Sequence, residues 1–359
     1  MKVIAFLTEP ASYTIDLVKK VYSPNNIDYK FLISSSYSNP NDSEKFENHL
    51  FLNNHSIISR FYLLKKCYDK YDAIIFSGYN SFSFLLLWFI HLCTSDKKPI
   101  SIISDTPLNV PSNFFKRIIK KYYLRFIFKN PFLHGFAGGN GLHKDLFSFY
   151  GMSLDRIHFL PMVIDVEEFK FSSARKRNST FSFLYVGRFI KRKQIEHLID
   201  EFLSKYINNP SVQLVLVGDG ECYDEIYNKY SKFKNIFFKG RLTSSKLKKE
   251  YQLAHVFVLA AYNENWGLVI NEAMSASLAV LSNKGIGANH DLINDKATGL
   301  IFDSSIKGDL ANKMEFLYRN KKHYNELTKN AYSFMHEYWN FNLYFNQLNS
   351  ALSKMLKHK

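Results

Sequence analysis

Short apolar runs alternate along the chain with longer segments in which apolar residues recur every three or four positions. A short continuous run bounded by polar or glycine positions reads as a strand covered on both faces. The three-to-four recurrence reads as a helix with one buried side. The predicted strands of the first half are Val3–Leu7, Tyr29–Ser34, Ala73–Phe76, Ile100–Ile103 and Gly135–Ala137. Those of the second half are Phe181–Val186, Gln213–Val217, Ile236–Lys239, Val256–Leu259, Ala279–Ser282 and Leu300–Phe302. Strands and helices in alternation predict an α/β chain of two Rossmann-like domains, each a doubly wound parallel sheet with helices on both faces. No internal repeat of about 20–50 residues is visible, which excludes a solenoid.

The segment Phe159–Thr180, FLPMVIDVEEFKFSSARKRNST, turns polar and basic between two strand patterns and reads as an interdomain linker. It places a first domain, expected to bind the acceptor, over 1–165 and a second, expected to bind a nucleotide sugar, over 166–334. Open parallel sheets bind ligands beyond the carboxyl ends of their strands. Two such sheets facing each other put the expected active site in a cleft between domains.

Composition narrows the class. A chain of 359 residues, 46% hydrophobic and 22% charged, supports two globular domains. Cys67, Cys93 and Cys222 are far apart and form no CxxC pair or disulfide framework, so a reducing cytosol fits best. The opening MKVIAFLTEP reads as a strand, too short and without a cleavage site for a secretory signal. The greasiest stretch, Phe84–Ile90, falls far short of the ~20 residues a membrane span needs and reads as a buried helix. A formal net charge of +15 favours an anionic partner: nucleic acid, acidic lipid or a phosphorylated ligand. A lysine-rich composition without purpose would give the same total.

Three segments carry candidate chemistry. In LYVGRFIKRKQIEHLIDEF, 184–202, a strand ends at Gly187, Arg188 and Lys193 follow five apart, and an amphipathic helix takes over. Two cations and a helix start at one strand end suit a diphosphate, although Lys191 and Arg192 extend the run and a solvated basic loop would look alike. In LVLVGDGECYDEI, 214–226, Gly218 and Gly220 permit a tight turn and close backbone approach, with or without a ligand. In ENWGLVINEAM, Glu264 and Glu272 flank a helix start near Val269, and carboxylates can each accept two hydrogen bonds from vicinal hydroxyls.

With these residues quoted, the second half resembles the family 4 retaining glycosyltransferases of the GT-B fold. The match runs from about Phe181 to Phe302, through VGRFIKRKQ, VGDGE, IFFKGRLTSSKLKKEYQLAHVFVLAA, ENWGLVINEAM and GIGANHDLINDKATGLIF in order. The resemblance implies that Gly187, Arg188 and Lys193 hold a donor diphosphate and stabilise it as a leaving group. It implies that Glu272 holds the ribose hydroxyls and that Glu264, beside Asn265, faces the transferred sugar. Gly240, Arg241 and Leu242 would border the base, Gly218 would line the donor site, and the amides of Gly267, Leu268 and Val269 would lie near sugar or phosphate. It further implies that the last segment, 335–359, crosses back to complete the first domain. The chain departs from the pattern at Gln194, where glycine is usual, and at Ser277 and Ala279, which replace a Gly and a Pro; these changes bear on turn geometry more than charge. The first half matches loosely. Asp105, in ISIISDTP, is its candidate polar residue, with a turn before Pro107 as the plain alternative. No two aspartates stand as D-x-D, so no metal or other cofactor is expected, and Arg188 with Lys193 supplies the counter-charge.

FFKRIIKKYYLRFIFKNPFL, 114–133, carries six cations and no acid. At 100° per residue Phe115, Ile118, Ile119, Tyr122 and Phe126 share one face, while Lys116, Arg117, Lys120, Lys121 and Arg125 lie opposite. The expectation is that the apolar face packs on the sheet while the basic face meets anionic lipid. No nucleic-acid module accompanies it, so none is expected as partner. The combined expectation is a peripheral enzyme of the cytoplasmic membrane face. It would move a sugar from a nucleotide sugar to a lipid-linked glycan in surface polysaccharide assembly. Two alternatives remain open: a nucleotide-sugar epimerase of this fold, which needs no acceptor, and a basic membrane or nucleic-acid binder, which has no use for the two glutamates.

Overall fold

The computed structural model describes residues 1–34, 51–170, 179–293 and 297–357. The chain divides into two compact units, Met1–Ile164 with Phe341–Lys359, and Asp165–Asn340. The basic end of the expected linker, 171–178, lies outside the described residues.

The first unit holds strands β1 (Val3–Leu7), β2 (Ile27–Phe31), β3 (Ala73–Ser77), β4 (Ile100–Ser104), β5 (Leu133–Ala137) and β6 (Ile157–Phe159). Its helices are α1 (Ser12–Leu17), α2 (Ile57–Lys70), α3 (Phe82–Cys93), α4 (Phe114–Phe128) and α5 (Leu142–Phe149). The second unit holds β7 (Phe181–Val186), β8 (Val212–Val217), β9 (Ile236–Gly240), β10 (Val256–Leu259), β11 (Ala279–Asn283) and β12 (Gly299–Phe302). Between them run α6 (Ile195–Tyr206), α7 (Tyr223–Tyr230), α8 (Ser244–Leu253), α9 (Leu268–Ser275), α10 (Asp309–Arg319) and α11 (Lys321–Ser333). A last helix, α12 (Phe341–Lys357), belongs to the first unit, where it packs on β3 and β6 and Tyr344 bonds Tyr22 through their hydroxyls at 2.6 Å.

Every strand pairing is parallel. The strand orders are β2-β1-β3-β4-β5-β6 and β12-β11-β10-β7-β8-β9. Central strands such as β1 (VIAFL) and β10 (VFVL) are buried at every position, which is why they read as unbroken apolar runs. Edge strands were harder to read. β2 starts two residues earlier than predicted and ends at Phe31, because Asp28 and Lys30 interrupt its apolar signal. β6 has three residues and was not predicted. Side-chain caps start three helices: Ser56, Ser81 and Asn113 accept the N–H groups of Ser59, Phe84 and Lys116.

Two helices depart from expectation. α3 is not wholly buried: Phe82, Leu85, Phe89 and Leu92 form an exposed stripe opposite the buried Phe84, Leu87, Trp88 and His91. In α4 the apolar face named from periodicity points outward. Phe115, Ile119, Tyr122 and Phe126 are 74, 69, 70 and 61% exposed, and the core face is Leu124, Ile127 and Phe128. Lys116, Arg117, Lys121 and Arg125 are exposed beside that outward face. Lys120 turns inward, donating to the Asn109 carbonyl at 2.8 Å and lying over the Tyr150 ring. Trp88 meets Phe126 edge-on at 6.4 Å, so a buried ring of α3 touches the outward face of α4.

Candidate functional site

In the second sheet the strand order reverses between β7 and β10. Crossovers leave in opposite directions there, so the carboxyl ends of those two strands open a crevice. The segments after β7 and β10 therefore decide what this unit can hold.

The loops after β7, β8 and β9 are zipped together. Gly187 donates to Val217, Phe189 to Asp219 at 2.7 Å, Cys222 to Phe189, and Gly218 to the Gly240 carbonyl. A Cβ on Gly218 would stand 1.9 Å from the Gly187 oxygen, and one on Gly220 2.6 Å from the Phe189 oxygen. The glycine pair is thus required by loop-against-loop packing, whatever it does for a ligand. Gln194, where the resemblance expects glycine, sits at φ +51°, and Ser277, the second such position, at +61°. Both hold the left-handed conformation that glycine takes at least cost.

The turn after Gly187 delivers cations of different standing. Lys193 is buried, and its Nζ donates to Glu264 Oε2 at 2.6 Å. Arg192 donates to the same oxygen at 2.7 Å and also to the Asn263 carbonyl. Arg188 is exposed, with no ion-pair or hydrogen-bond partner for its side chain among the described residues. Glu264 is held by its own backbone, donating to Gly285 at 3.3 Å and accepting from Gly287 at 3.0 Å. Both cations converge on Oε2, leaving Oε1 to accept from a ligand hydroxyl. Sequence reasoning placed Arg192 in a generic basic run; its nearness to Lys193 in one tight turn was the signal available.

α9 begins after Gly267 at φ +97°, and the amides of Gly267, Leu268 and Val269 have no hydrogen-bond partner among the described residues. These donors and the helix dipole favour negative charge at this end. Trp266 anchors the loop from beneath, donating to Asn271 at 2.9 Å and stacking on Trp339. One turn on, Glu272 accepts from the buried Tyr251 hydroxyl at 2.6 Å. Burial raises the Glu272 carboxyl to about 7, against the lowering effects of Tyr251 and Lys248. Neither Trp266 nor Tyr251 was singled out from sequence. Asn265 and Arg241 are exposed, Leu242 is half-buried, and Gly240 takes φ +61° with open space around its α-carbon.

The structure thus brings Lys193, Arg192 and Glu264 together. Asp105 belongs to the first unit, just past β4. It lines a cavity of about 350 Å³ where the first sheet's own order reverses, between β1 and β3. In the adjacent turn the Ser104 hydroxyl accepts the Thr106 amide at 3.2 Å.

Comparison with known proteins agrees with this geometry. Residues 166–334 match the sequence model of the family described as Glycosyl transferases group 1. The matched residues coincide with the unit holding Lys193 and Glu264. It is 27% identical to Alpha-monoglucosyldiacylglycerol synthase of Acholeplasma laidlawii over 163 residues, 43% of this chain and 39% of that protein. It is 23% identical to Sulfoquinovosyl transferase SQD2 of Arabidopsis thaliana over 236 residues, 62% and 45% of the two. The chain spans less than half the length of these relatives. Over 98% of this chain and 100% of the other, it superposes on Anabaena Alr3699/HepE, solved in complex with UDP, with a TM-score of 0.78 at 16% identity. The fold is that of the two-domain GT-B glycosyltransferases.

Proposed function

We propose that the protein is a retaining glycosyltransferase of the family 4 type. It moves a sugar from a nucleoside diphosphate donor to a glycan acceptor, lipid-linked, in surface polysaccharide assembly. The observation that carries this is the convergence of Lys193, Arg192 and Glu264 at the β7/β10 reversal, within the residues that match the group 1 family model. In this reading the bond between sugar C1 and the diphosphate oxygen breaks. Arg188, Lys193 and the α9 amides take up the developing negative charge. The acceptor oxygen bonds to C1 from the same face, and its proton passes to the departing phosphate. Glu264 positions the sugar through Oε1, and Glu272 accepts from the ribose. The side chains themselves supply the counter-charge, so no metal or other cofactor is assigned. Structures of the Anabaena neighbour with UDP and with UDP-glucose make uridine donors the first to screen.

The membrane part rests on the outward face of α4. Exposed aromatic and aliphatic side chains flanked by Lys116, Arg117, Lys121 and Arg125, with no acid on the helix, suit an anionic headgroup layer over hydrocarbon. No helix of the described residues is long and apolar enough to cross a membrane. The proposed place of work is the cytoplasmic face of the cell membrane. Neutralising Lys116, Arg117 and Lys121 together is expected to abolish binding to anionic vesicles; unchanged binding removes the membrane assignment.

The enzymatic test is a donor screen. A nucleoside diphosphate is expected to raise the melting temperature by mass action, and its sugar ester to be consumed when acceptor is added. No binding and no turnover with any nucleotide sugar overturns the proposal. Isomerised donor without acceptor would replace it with an epimerase.

A further inference from the structure

Lys193 has two duties that pull apart. Its Nζ donates to Glu264 Oε2 at 2.6 Å, and its side chain has no other partner among the described residues. The leaving-group role needs the same ammonium on the donor diphosphate. A lysine that moved there would leave behind a carboxylate whose side chain is only 18% exposed. An unpaired carboxylate with little access to water, next to a diphosphate, is unfavourable twice over: it has lost hydration and it faces like charge.

Arg192 is placed to prevent this. Its Nη1 donates to Glu264 Oε2 at 2.7 Å and to the Asn263 carbonyl. Its own carbonyl accepts the Tyr262 amide at 3.2 Å. One residue of the turn after β7 is thus bonded to three successive residues after β10, across the reversal of strand order. The two neighbouring cations also differ in kind. A guanidinium is planar, always charged and donates in a fixed fork, which suits holding; an ammonium is a point charge on a flexible stem, which suits moving.

We propose, on the donor reading above, that Arg192 is a positioning residue: it keeps Glu264 paired and in place, and so releases Lys193 to the donor diphosphate. In the structure both cations share Oε2. When a diphosphate arrives, Lys193 turns to it, while Arg192 stays on Oε2 and the Asn263 carbonyl. Glu264 keeps a counter-ion throughout and still offers Oε1 to the sugar. Without Arg192, Lys193 becomes the counter-ion that Glu264 cannot give up, and the diphosphate loses its cation although Lys193 is intact. A positive charge at 192 could also attract a diphosphate through space, without acting on Glu264. That attraction persists whatever stands at 264, whereas the handover disappears once position 264 is uncharged.

The test is a double-mutant cycle read by calorimetric titration of UDP and GDP, neither of which carries the sugar that Glu264 faces. The full chain is compared with Arg192→Ala, Glu264→Gln and the double variant. The nucleotide that binds the parent chain is expected to bind Arg192→Ala about tenfold more weakly, while Glu264→Gln and the double variant differ by no more than about twofold. Melting curves matching the parent chain show that the variants fold. Should Arg192→Ala melt early, Arg192→Gln, which keeps a donor for the Asn263 carbonyl without the charge, gives the same comparison. Unchanged affinity on loss of Arg192 overturns the proposal, and so does an equal loss in both backgrounds, the mark of through-space attraction alone. Lys193→Ala and the parent chain separate this proposal from the donor reading. If a nucleotide binds and Lys193→Ala weakens it, but the loss from Arg192→Ala is the same beside Glu264→Gln, this proposal alone falls. If neither nucleotide binds the parent chain, the donor reading falls and takes this proposal with it.

Discussion

Each unit is a parallel sheet whose strand order reverses once, and the chain treats the two reversals differently. At β1/β3 it places a carboxylate, phenols, hydroxyls and a cavity, with no cation among the described lining residues. At β7/β10 it places Lys193 and Arg192 on Glu264, with Arg188 exposed nearby in sequence and unbonded amides at the start of α9. The backbones differ too. Gly78, after β3, has nothing within 4 Å of where its Cβ would stand, whereas Gly218, after β8, has a carbonyl oxygen at 1.9 Å. One architecture supplies two crevices, and the loops set a carboxylate and an open glycine at one and cations with tightly packed glycines at the other. The residues that match the group 1 family model include the second of these.

The comparison breaks first at the cations. Lys193→Ala is expected to lower kcat/KM by about 30- to 1000-fold, some 2–4 kcal/mol of transition-state stabilisation, in steady-state nucleotide release. Arg188→Ala is expected to act in the same direction, and full activity in both variants contradicts the leaving-group role. Next come the glycines. Gly218→Ala is expected to cost about 3 kcal/mol of stability in urea unfolding, because neither the Gly187 carbonyl nor the loop can move aside. Gly78→Ala, strained only by its φ of +77°, is expected to cost about 1 kcal/mol. Equal costs would mean the two crevices are equally plastic.

A smaller effect concerns pH. Glu272 has its carboxyl raised by burial to about 7 from an ordinary 4.5. The folded protein therefore binds this proton more tightly than the unfolded chain. The stability that follows is full below pH 4.5 and is lost as pH rises to about 7. Nucleotide binding runs the other way, since the ionised carboxyl is the better acceptor for ribose. Affinity is expected to rise about tenfold through pH 7 and to be flat in Glu272→Gln, read by calorimetry across pH. The smallest effect is at Ser277. Ser277→Gly is expected to stabilise by about 1 kcal/mol, raising the melting temperature by a few degrees, because it relieves the left-handed backbone. A drop instead would show that the bond from Ser277 to the Thr328 carbonyl outweighs that relief.

Much of this was legible in the sequence where the signal is local. VIAFL and VFVL announce strands because both their faces are buried, and Arg188 and Lys193 stand out as cations beside a strand end, whereas Glu264 and Glu272 stood out only through the family resemblance. The departures from glycine at Gln194 and Ser277 pointed to turns, and the backbone there is left-handed. What escaped depends on partners distant in sequence. Periodicity showed which α4 residues share a face but not which face meets the core, since Leu124, Ile127 and Phe128 form a second apolar stripe. Tyr251 meets Glu272 across 21 residues and Arg192 meets Glu264 across 72, so neither pair has a spacing to read. Asp105 was legible as a polar residue after a strand, but the cavity around it is assembled from segments more than 300 residues apart in sequence, Leu7 to Tyr344.

The two reversals are proposed to divide the work, the β7/β10 crevice with its cations holding the diphosphate and the β1/β3 crevice taking no part in it. Calorimetric titration of UDP and GDP into the parent chain, Lys193→Ala and Asp105→Asn tests this most directly. The account predicts that the nucleotide binding the parent chain binds Lys193→Ala about tenfold more weakly or worse, and Asp105→Asn within about twofold. Unchanged affinity in Lys193→Ala, or an equal loss in Asp105→Asn, would contradict it.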